Sequence, residues 1–313
     1  MAAALSLGGR GRGQTGNNPS VGCVIVCEGY VVGRGWTQAG GRPHAEAMAL
    51  AEAGSLAKGA TIYVTLEPCA HESARGPACA DLVAVAKPAR VVAALTDPDP
   101  RTSGGGFARL EAGGIVVERG VLQAEAQRSL AGFLSRIKKG RPHITLKLAT
   151  SLDGCIALAD GSSRWITGEA ARAHTHLERA RHDAILVGAG TVLADAPKLD
   201  VRLPGLEARS PRRVMLGSGV PPQGWTAIRA PEDIATLVCN SLLVEGGAQT
   251  ASAFLKADLV DRLLLYRAPI LIGAGKAGLG DIGLTALDDA HGRWQLIDTR
   301  MLGNDRLEVY EAA

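Results

Sequence analysis

Several features are absent from this 313-residue sequence. No apolar run reaches the roughly 18 uninterrupted residues that a membrane-spanning helix needs. The most apolar stretch, LLLYRAPILIG, is broken by Arg267 and Pro269. No secretory pattern opens the chain: MAAALSLGGRGRGQTG places basic residues after a short apolar stretch, the reverse of signal-peptide order. Cysteines are few and scattered (Cys23, Cys27, Cys69, Cys79, Cys155 and Cys239), which excludes a disulfide framework and predicts a reduced, cytoplasmic protein. Neither sign of charge is in excess: 34 Lys and Arg against 31 Asp and Glu give +3. That balance offers no case for a nucleic-acid or membrane surface. There is no internal repeat, and no G-x-G-x-x-G both follows a strand and opens a helix, so the dinucleotide fingerprint is missing.

What is present is glycine, 40 residues dispersed among hydrophobic runs, and an apolar content of 46%. Length and apolar content together allow about two ordinary domains with real cores. In the first half, VGCVIVCEGYVVGRGW predicts a hairpin around Glu28-Gly29, and a helix runs from His44 to Ala53, closed by Gly54. ATIYVTLEP is a strand, PACADLVAVAK a helix, RVVAALTDP a strand, GFARLEAGG a helix and IVVERGV a strand. One polar helix is expected from Gln123 to Lys139, and the basic KKGRPH stretch that follows marks a domain boundary. The second half restarts with ITLKLATSLDG, then alternates GEAARAHTHLERA (helix), AILVGAG, RRVML and SLLVEGG (strands) and QTASAFLKA (helix). It ends in long strands, RLLLYRAPILI, WQLIDT and RLEVYEA. Strands alternating with helices imply layered α/β domains in both halves.

One cluster carries chemistry. GGRPHAEAMALAEAG puts His44 and Glu46 at the head of a helix, and TLEPCAHESARGPAC supplies Cys69 and Cys79. One imidazole and two thiolates match a catalytic zinc site, which uses three protein ligands and leaves the fourth position for water. Cys69 follows a strand and Cys79 opens a helix, whose N-terminus favours thiolate. In a regular helix positions i and i+2 diverge, so only a first-turn placement lets Glu46 share the site as proton carrier. A lone His-x-Glu is ordinary polar surface; it is the joint pattern that argues for a site. Cys23, Cys27, Cys155 and Cys239 read as small core residues.

HAE followed by PC and a second cysteine resembles the zinc nucleobase-deaminase signature. The spacing is ten rather than three, and NNPSVGCVIV, VTLEPCAH and TDPDPR surround it. These stretches resemble the deaminase half of the bifunctional riboflavin-biosynthesis deaminase–reductase family, over almost all of residues 1–140. The resemblance implies a cytidine-deaminase-like three-layer α/β/α domain acting on 2,5-diamino-6-(5-phosphoribosylamino)pyrimidin-4-one. It implies zinc on His44, Cys69 and Cys79, attack of zinc-bound hydroxide on the amino-bearing carbon, and Glu46 as the acid–base group. Asn18, His71, Asp97 and Asp99 would line the substrate pocket, with Arg75 as the replacement for the usual basic phosphate contact. The loop between the cysteines, AHESARGPA, is one residue longer than the family pattern, and Thr37-Gln38 stands where His-Gln is frequent.

In the second half, LLVEGGAQTASAF runs strand, Gly-Gly, helix, a weak anion-site signal by itself. With TLKLATSLDGCIA, SRWITG and AILVGAGTVLADAPKLDVR it resembles the reductase half of the same family. That implies a dihydrofolate-reductase-like α/β domain that uses NADPH to reduce the ribosyl group to ribityl. Ala149, Trp165, Thr191, Asp195, Ser218 and Gly247, Ala248, Gln249, Thr250, Ala251, Ser252 and Ala253 would hold NADPH. Ser163, Arg179, Leu199, Arg202 and Glu245 would hold substrate. Lys147, with Asp195, is a candidate for polar work at the reacting carbon. Arg179 and Arg202 suit phosphate.

Two departures stand out: Ala196 replaces the second acid of Ala-Asp-Asp-Pro, and the stretch between RRVML and LLVEGG lacks roughly thirty residues that ordinarily add a strand and helices.

The expectation is therefore a bifunctional zinc hydrolase and NADPH oxidoreductase, with residues 1–141 the deaminase and 142–313 the reductase. Its partner is a small phosphorylated pyrimidine, without nucleic acid or membrane, and a homo-oligomer is open. The alternatives are a deaminase whose second domain has lost reduction, a tRNA or nucleoside deaminase, and an interaction protein stapled by zinc.

Overall fold

The computed structural model describes residues 1–71 and 75–313. The chain divides into two compact units, Met1–Gly140 and Arg141–Ala313.

The first unit is built on five strands: β1 (Gly22–Cys27), β2 (Tyr30–Trp36), β3 (Thr61–Val64), β4 (Arg90–Ala93) and β5 (Val116–Arg119), in the order β2-β1-β3-β4-β5. The predicted hairpin is there, with Glu28 and Gly29 both at positive φ in its turn. Strands β3, β4 and β5 run parallel. Helices α1 (Ala2–Gly8), α2 (Ala45–Ala53), α3 (Cys79–Ala86), α4 (Gly105–Ala112), α5 (Gln123–Ser129) and α6 (Ala131–Lys139) cover it. Two glycines show how. A Cβ at Gly22 would stand 1.8 Å from the Ala4 carbonyl of α1, and one at Gly35 would stand 2.1 Å from the Ala45 carbonyl of α2. Gly22 pairs with Trp36 and Gly35 with Cys23, so the two glycines point to opposite faces of the hairpin. The sheet is thus sandwiched, with α1 on one face and α2 on the other. Ile25, Ile62, Val91, Phe107 and Leu110 fill the core.

The single polar helix expected over 123–139 is instead two. Leu130 leaves helical geometry (φ −102°, ψ 12°) and is buried at 2% exposure, so core packing of that side chain breaks the element.

The second unit holds eight strands in the order β10-β9-β8-β11-β6-β12-β15-β14. These are β6 (His143–Thr150), β8 (Ala184–Gly188), β9 (Arg212–Leu216), β10 (Thr226–Ile228), β11 (Ser241–Val244), β12 (Arg262–Arg267), β14 (Trp294–Leu302) and β15 (Asp305–Ala312). Strands β7 (Cys155–Ala157) and β13 (Lys276–Ala277) form a separate ribbon. Strands β10, β9, β8, β11, β6 and β12 are mutually parallel, so their C-terminal ends share one edge, where α/β sheets hold their ligands. Helices α7 (Glu169–Ala180), α8 (Ala189–Asp195) and α9 (Ala248–Lys256) follow strands at that edge or flank it.

The shortened segment still makes an edge strand, β10, and a 3₁₀ turn over Pro231–Thr236, so the sheet keeps the element that the missing residues put in question. The expected RLLLYRAPILI strand stops at Arg267, two residues before Pro269, which has no N–H for the ladder. Among the described residues no helix is long and apolar enough to cross a membrane.

Candidate active sites

His44 is the N-cap of α2, in extended conformation (φ −74°, ψ 164°). Standing outside the helix, it is freed from the divergence of i and i+2, and His44 and Glu46 line the same cavity of about 210 Å³. Its Nδ1 lies 3.3 Å from Cys79 Sγ and 3.6 Å from Cys69 Sγ, and the three donor atoms fall within 4.8 Å of one another. A tetrahedral zinc with bonds of about 2.0 Å to nitrogen and about 2.3 Å to sulfur sets N···S separations near ~3.5 Å. The donor set fits zinc in kind and in spacing.

The Cys79 thiol donates to Cys69 and holds it below the usual thiol range, and that bond, with burial, pushes Cys79 up. The Cys79 amide also donates to Cys69 Sγ at 3.3 Å. Two sulfurs therefore share one proton, which a bound cation displaces. Glu46 is 3% exposed, and burial raises its carboxyl to about 7 against the opposing pull of His44. A carboxyl poised there can both accept and return a proton near neutrality.

Asn18, His71, Arg75, Asp97 and Asp99 line the same cavity. The Asn18 amide donates to Thr15 O at 3.2 Å, His71 Nδ1 is 3.1 Å from Thr102 Oγ1, and Arg75 donates to Gly40 O at 2.7 Å. Burial raises Asp97 to about 6, whereas hydrogen bonds from Arg101 hold Asp99 below its usual range. Part of the loop AHESARGPA, residues 72–74, lies outside the described residues.

Glu67 escaped the sequence reading. Its buried carboxylate accepts four backbone N–H groups, from Asp97 (3.1 Å), Gly104 (3.0 Å), Gly106 (2.9 Å) and Phe107 (3.3 Å). Two of these belong to the first turn of α4, so Glu67 ties that turn to the loop that carries Asp97 and Asp99. Arg42, Thr37 and Arg101 also line the cavity unforeseen.

The second unit has a cleft of about 250 Å³ at the strand ends. It brings together Lys147, Ala149, Ser163, Trp165, Arg179, Arg202 and Glu245, and adds Ile156, Ile166, Thr167, Arg172, Thr175 and His176. The last three stand with Arg179 at helical spacing on α7, a pattern readable in GEAARAHTHLERA. Arg179 grips Glu245 by Nε (2.7 Å) and a second nitrogen (2.9 Å) and donates to Asp200 O (3.1 Å). Burial lowers Lys147, with Glu245 opposing.

Thr191, Asp195, Ser218, Leu199 and the segment Gly247–Ala253 do not line this cleft. Leu199 packs with Ile185, Val187 and Leu243 in the core, and Ala251 is fully buried, so both can meet a ligand only through backbone. Ser252 Oγ accepts the Gly280 amide. The glycine pair divides: a Cβ at Gly246 would stand 2.3 Å from Thr250 Cβ, while one at Gly247 meets nothing within 4 Å. Gly247 caps α9 without a side-chain hydrogen bond, leaving an open, uncapped helix start suited to an anion such as a dinucleotide pyrophosphate. Cys23, Cys155 and Cys239 are buried and Cys27 half-buried.

A family model described as the cytidine and deoxycytidylate deaminase zinc-binding region matches residues 1–95. One described as the RibD C-terminal domain matches 142–223 and 230–307. The riboflavin biosynthesis protein RibD of Escherichia coli is 41% identical over 355 aligned positions, covering 97% of this chain and 96% of the relative. That of Mycobacterium tuberculosis is 41% identical, covering 98% and 95%. Among solved structures, a diaminohydroxyphosphoribosylaminopyrimidine deaminase/5-amino-6-(5-phosphoribosylamino)uracil reductase from Thermotoga maritima superposes with TM-score 0.90 at 31% identity, covering 100% of this chain and 97% of that one. Acinetobacter baumannii RibD, form 1, gives 0.88 at 35% identity, covering 100% and 98%. With both halves matched at this identity over nearly the full length, the chain belongs to the RibD family of riboflavin-biosynthesis proteins.

Proposed function

We propose that residues 1–141 deaminate 2,5-diamino-6-(5-phosphoribosylamino)pyrimidin-4-one and that residues 142–313 reduce the product's ribosyl group with NADPH. The family is a bifunctional deaminase and reductase of riboflavin biosynthesis, with zinc and NADPH as cofactors, and both domains are present. The reading over a deaminase alone is supported by β10, which keeps the reductase sheet complete across the shortened segment. The observation that carries the deaminase assignment is His44 Nδ1 set between two cysteine sulfurs with Glu46 in the same cavity.

His44, Cys69 and Cys79 would hold zinc, which when bound supplies the Lewis acidity that makes water nucleophilic near neutral pH. Glu46 is the proton carrier. It takes a proton from the attacking water and returns protons to the ring nitrogen and the departing ammonia, so the sum is water in and ammonia out. Asp97 and Asn18 orient the pyrimidine, and Arg75, with Arg42, faces the phosphate end.

In the reductase, Thr191, Asp195, Ser218 and the Gly247–Ala253 segment would hold NADPH, which when bound would supply the hydride that C1′ of the ring-opened ribosylimine accepts. Lys147 gives a proton to the nitrogen on C1′, which takes the electron pair of the C=N bond as the hydride is accepted; burial weakens its hold on that proton, and Glu245 orients it. Ala149 and Trp165 bound the nicotinamide side, while Ser163, Leu199 and Arg202 bound the substrate.

Purified protein incubated with the diaminopyrimidine should release ammonia without NADPH. Supplied with the deaminated intermediate, it should oxidise NADPH. Ammonia release with no oxidation of NADPH on the intermediate would remove the reductase assignment.

A further inference from the structure

We propose that Arg172 and His176 of α7 bind the phosphate of the reductase substrate, a role that rests on the reduction assigned above.

The cleft at the strand ends is lined by Lys147, Arg172, Arg179 and Arg202 against a single carboxylate, Glu245. It therefore favours an anion, but its cations are not equally free. The Arg179 guanidinium is engaged on all three nitrogens, by both Glu245 oxygens and by Asp200 O. Its charge is balanced by a carboxylate held in a bidentate grip. Arg202 stands 3.6 Å from Asp200 Oδ1 and is largely exposed.

Arg172 differs from both. Among the described residues no carboxylate pairs with it. Its Nη1 donates to Thr167 O at 2.6 Å, and its guanidinium carbon lies 4.9 Å from the Trp165 ring centroid. One hydrogen bond and one stacking contact fix the plane of the fork while leaving N–H groups for a ligand, the arrangement in which arginine binds phosphate best.

His176 sits one helical turn on, at i+4, and lines the same cleft. Its Nδ1 is engaged by backbone, 3.1 Å from Asp200 O and 3.3 Å from the Arg202 amide. In the tautomer whose Nδ1 accepts the Arg202 amide, Nε2 carries the hydrogen. The same holds for the imidazolium, which donates Nδ1–H to Asp200 O. Both of these forms offer Nε2–H as a donor, whereas the neutral tautomer that donates Nδ1–H to Asp200 O leaves Nε2 an acceptor, a state that a bound phosphate disfavours. Burial first, then Arg179 and Arg202, lowers the proton affinity of His176; a bound dianion reverses the sign of the charges around it.

The anion could also belong to NADPH. The position of α7 favours the substrate. Ala171 of α7 packs on Leu264, Tyr266, Leu307 and Val309 of β12 and β15. The open start of α9 follows β11, on the other side of β6 in the strand order, and α8 follows β8 beyond that. The two anion seats therefore lie over different parts of the sheet edge.

The test compares kcat/KM for the phosphorylated intermediate and for its phosphate-free ribosyl counterpart, with NADPH saturating. In Arg172→Gln, and separately in His176→Gln, the ratio of the two values should fall about tenfold or more, the scale of one charge-assisted hydrogen bond. Equal losses on both substrates would make the residues structural and overturn the proposal. A loss confined to KM for NADPH would assign the anion to the cofactor and also overturn it. If Arg172→Gln does not fold, Arg172→Lys serves, with inorganic phosphate as inhibitor against the phosphorylated substrate. Its inhibition constant should rise severalfold, since lysine keeps the charge but loses the fork, and an unchanged constant sinks the idea. Wild-type protein that oxidises no NADPH with either substrate would instead remove the parent assignment.

Discussion

Arg179 and Glu245 are locked together by two parallel hydrogen bonds of 2.7 and 2.9 Å, although 66 positions separate them in the chain. Both side chains are largely withdrawn from solvent, at 13% and 8% exposure. Arg179 and Lys147 together hold the Glu245 carboxyl below its usual range against burial. Replacing Arg179 with Gln leaves Glu245 buried beside Lys147 alone. We expect a stability loss of about 1–3 kcal/mol, below the full cost of an orphaned buried charge because Lys147 remains. Lys147 then carries the whole counter-charge and gives up its proton less readily, so NADPH oxidation should fall at least tenfold with ammonia release intact. Steady-state assays of both half-reactions on one preparation check this. A matching fall in both would point to general unfolding.

The deaminase half yields a sharper comparison. Glu46→Gln keeps the shape of the cavity wall and all three metal donors. Zinc content, measured by elemental analysis, should stay near one per chain, while ammonia release falls by about 10²–10⁴-fold. Retained turnover would reduce the cluster to a structural staple.

Asp97 offers a test in which stability and function move oppositely. Burial raises its folded-state carboxyl to about 6, above the unfolded value of 3.8. The folded state thus binds this proton more tightly, so the contribution to stability is present below the unfolded value and lost as pH rises to about 6. At pH 8 the buried charge is a net cost. Asp97→Asn keeps an oxygen for the Asp99 amide that Oδ1 now accepts at 2.9 Å. Its thermal midpoint at pH 8 should rise, while KM for the diaminopyrimidine rises too. No gain at pH 8, or a gain equally large at pH 4, would contradict this account.

How much of this was legible in the sequence depends on where each partner lies. His44, Cys69 and Cys79 could be read because histidine and cysteine are rare residue types set here at a recognisable spacing, and Glu46 because it stands two residues from His44. The way His44 and Glu46 share a cavity could not, since it depends on His44 adopting extended geometry just outside α2. Glu67 was invisible for a different reason: its partners are backbone amides 30 to 40 positions away, and backbone leaves no signature in a sequence. Resemblance carried Leu199 and Ala251 to the ligand sites, yet the structure buries both side chains. The break at Leu130 followed from core packing that polar periodicity does not register. The missing stretch before Glu245 suggested a lost sheet element, but the remaining residues are enough for the three-residue strand β10.

Glu67 itself can be tested. Each carboxylate oxygen accepts two amide hydrogens. Gln supplies one acceptor oxygen and turns an NH₂ group toward two N–H donors, which leaves buried donors unpaired at about 1–3 kcal/mol each. Glu67→Gln should therefore lower the thermal midpoint by several degrees. Among molecules that remain folded, KM for the diaminopyrimidine should rise more than kcat falls, because the loop bearing Asp97 and Asp99 loses its anchor while Glu46 and the metal donors do not. An unchanged KM would confine Glu67 to a purely structural part.

The glycine pair before α9 separates packing from binding. At Gly246 an added methyl would stand 2.3 Å from Thr250 Cβ, so Gly246→Ala must displace a buried side chain and should cost about 1–3 kcal/mol. At Gly247 the backbone has φ −71°, which alanine adopts without strain, and the space a methyl would enter is open. Gly247→Ala should leave the thermal midpoint within about 1–2 °C of the parent, since a surface change away from packing alters stability by only ~0.5 kcal/mol. Yet that methyl stands where the pyrophosphate would approach the uncapped amides of α9, so NADPH affinity, followed by fluorescence titration, should weaken about tenfold or more. Unchanged affinity in Gly247→Ala would move the cofactor's anion seat away from α9, and the steric role of Gly246 would then be all that the Gly-Gly pair provides.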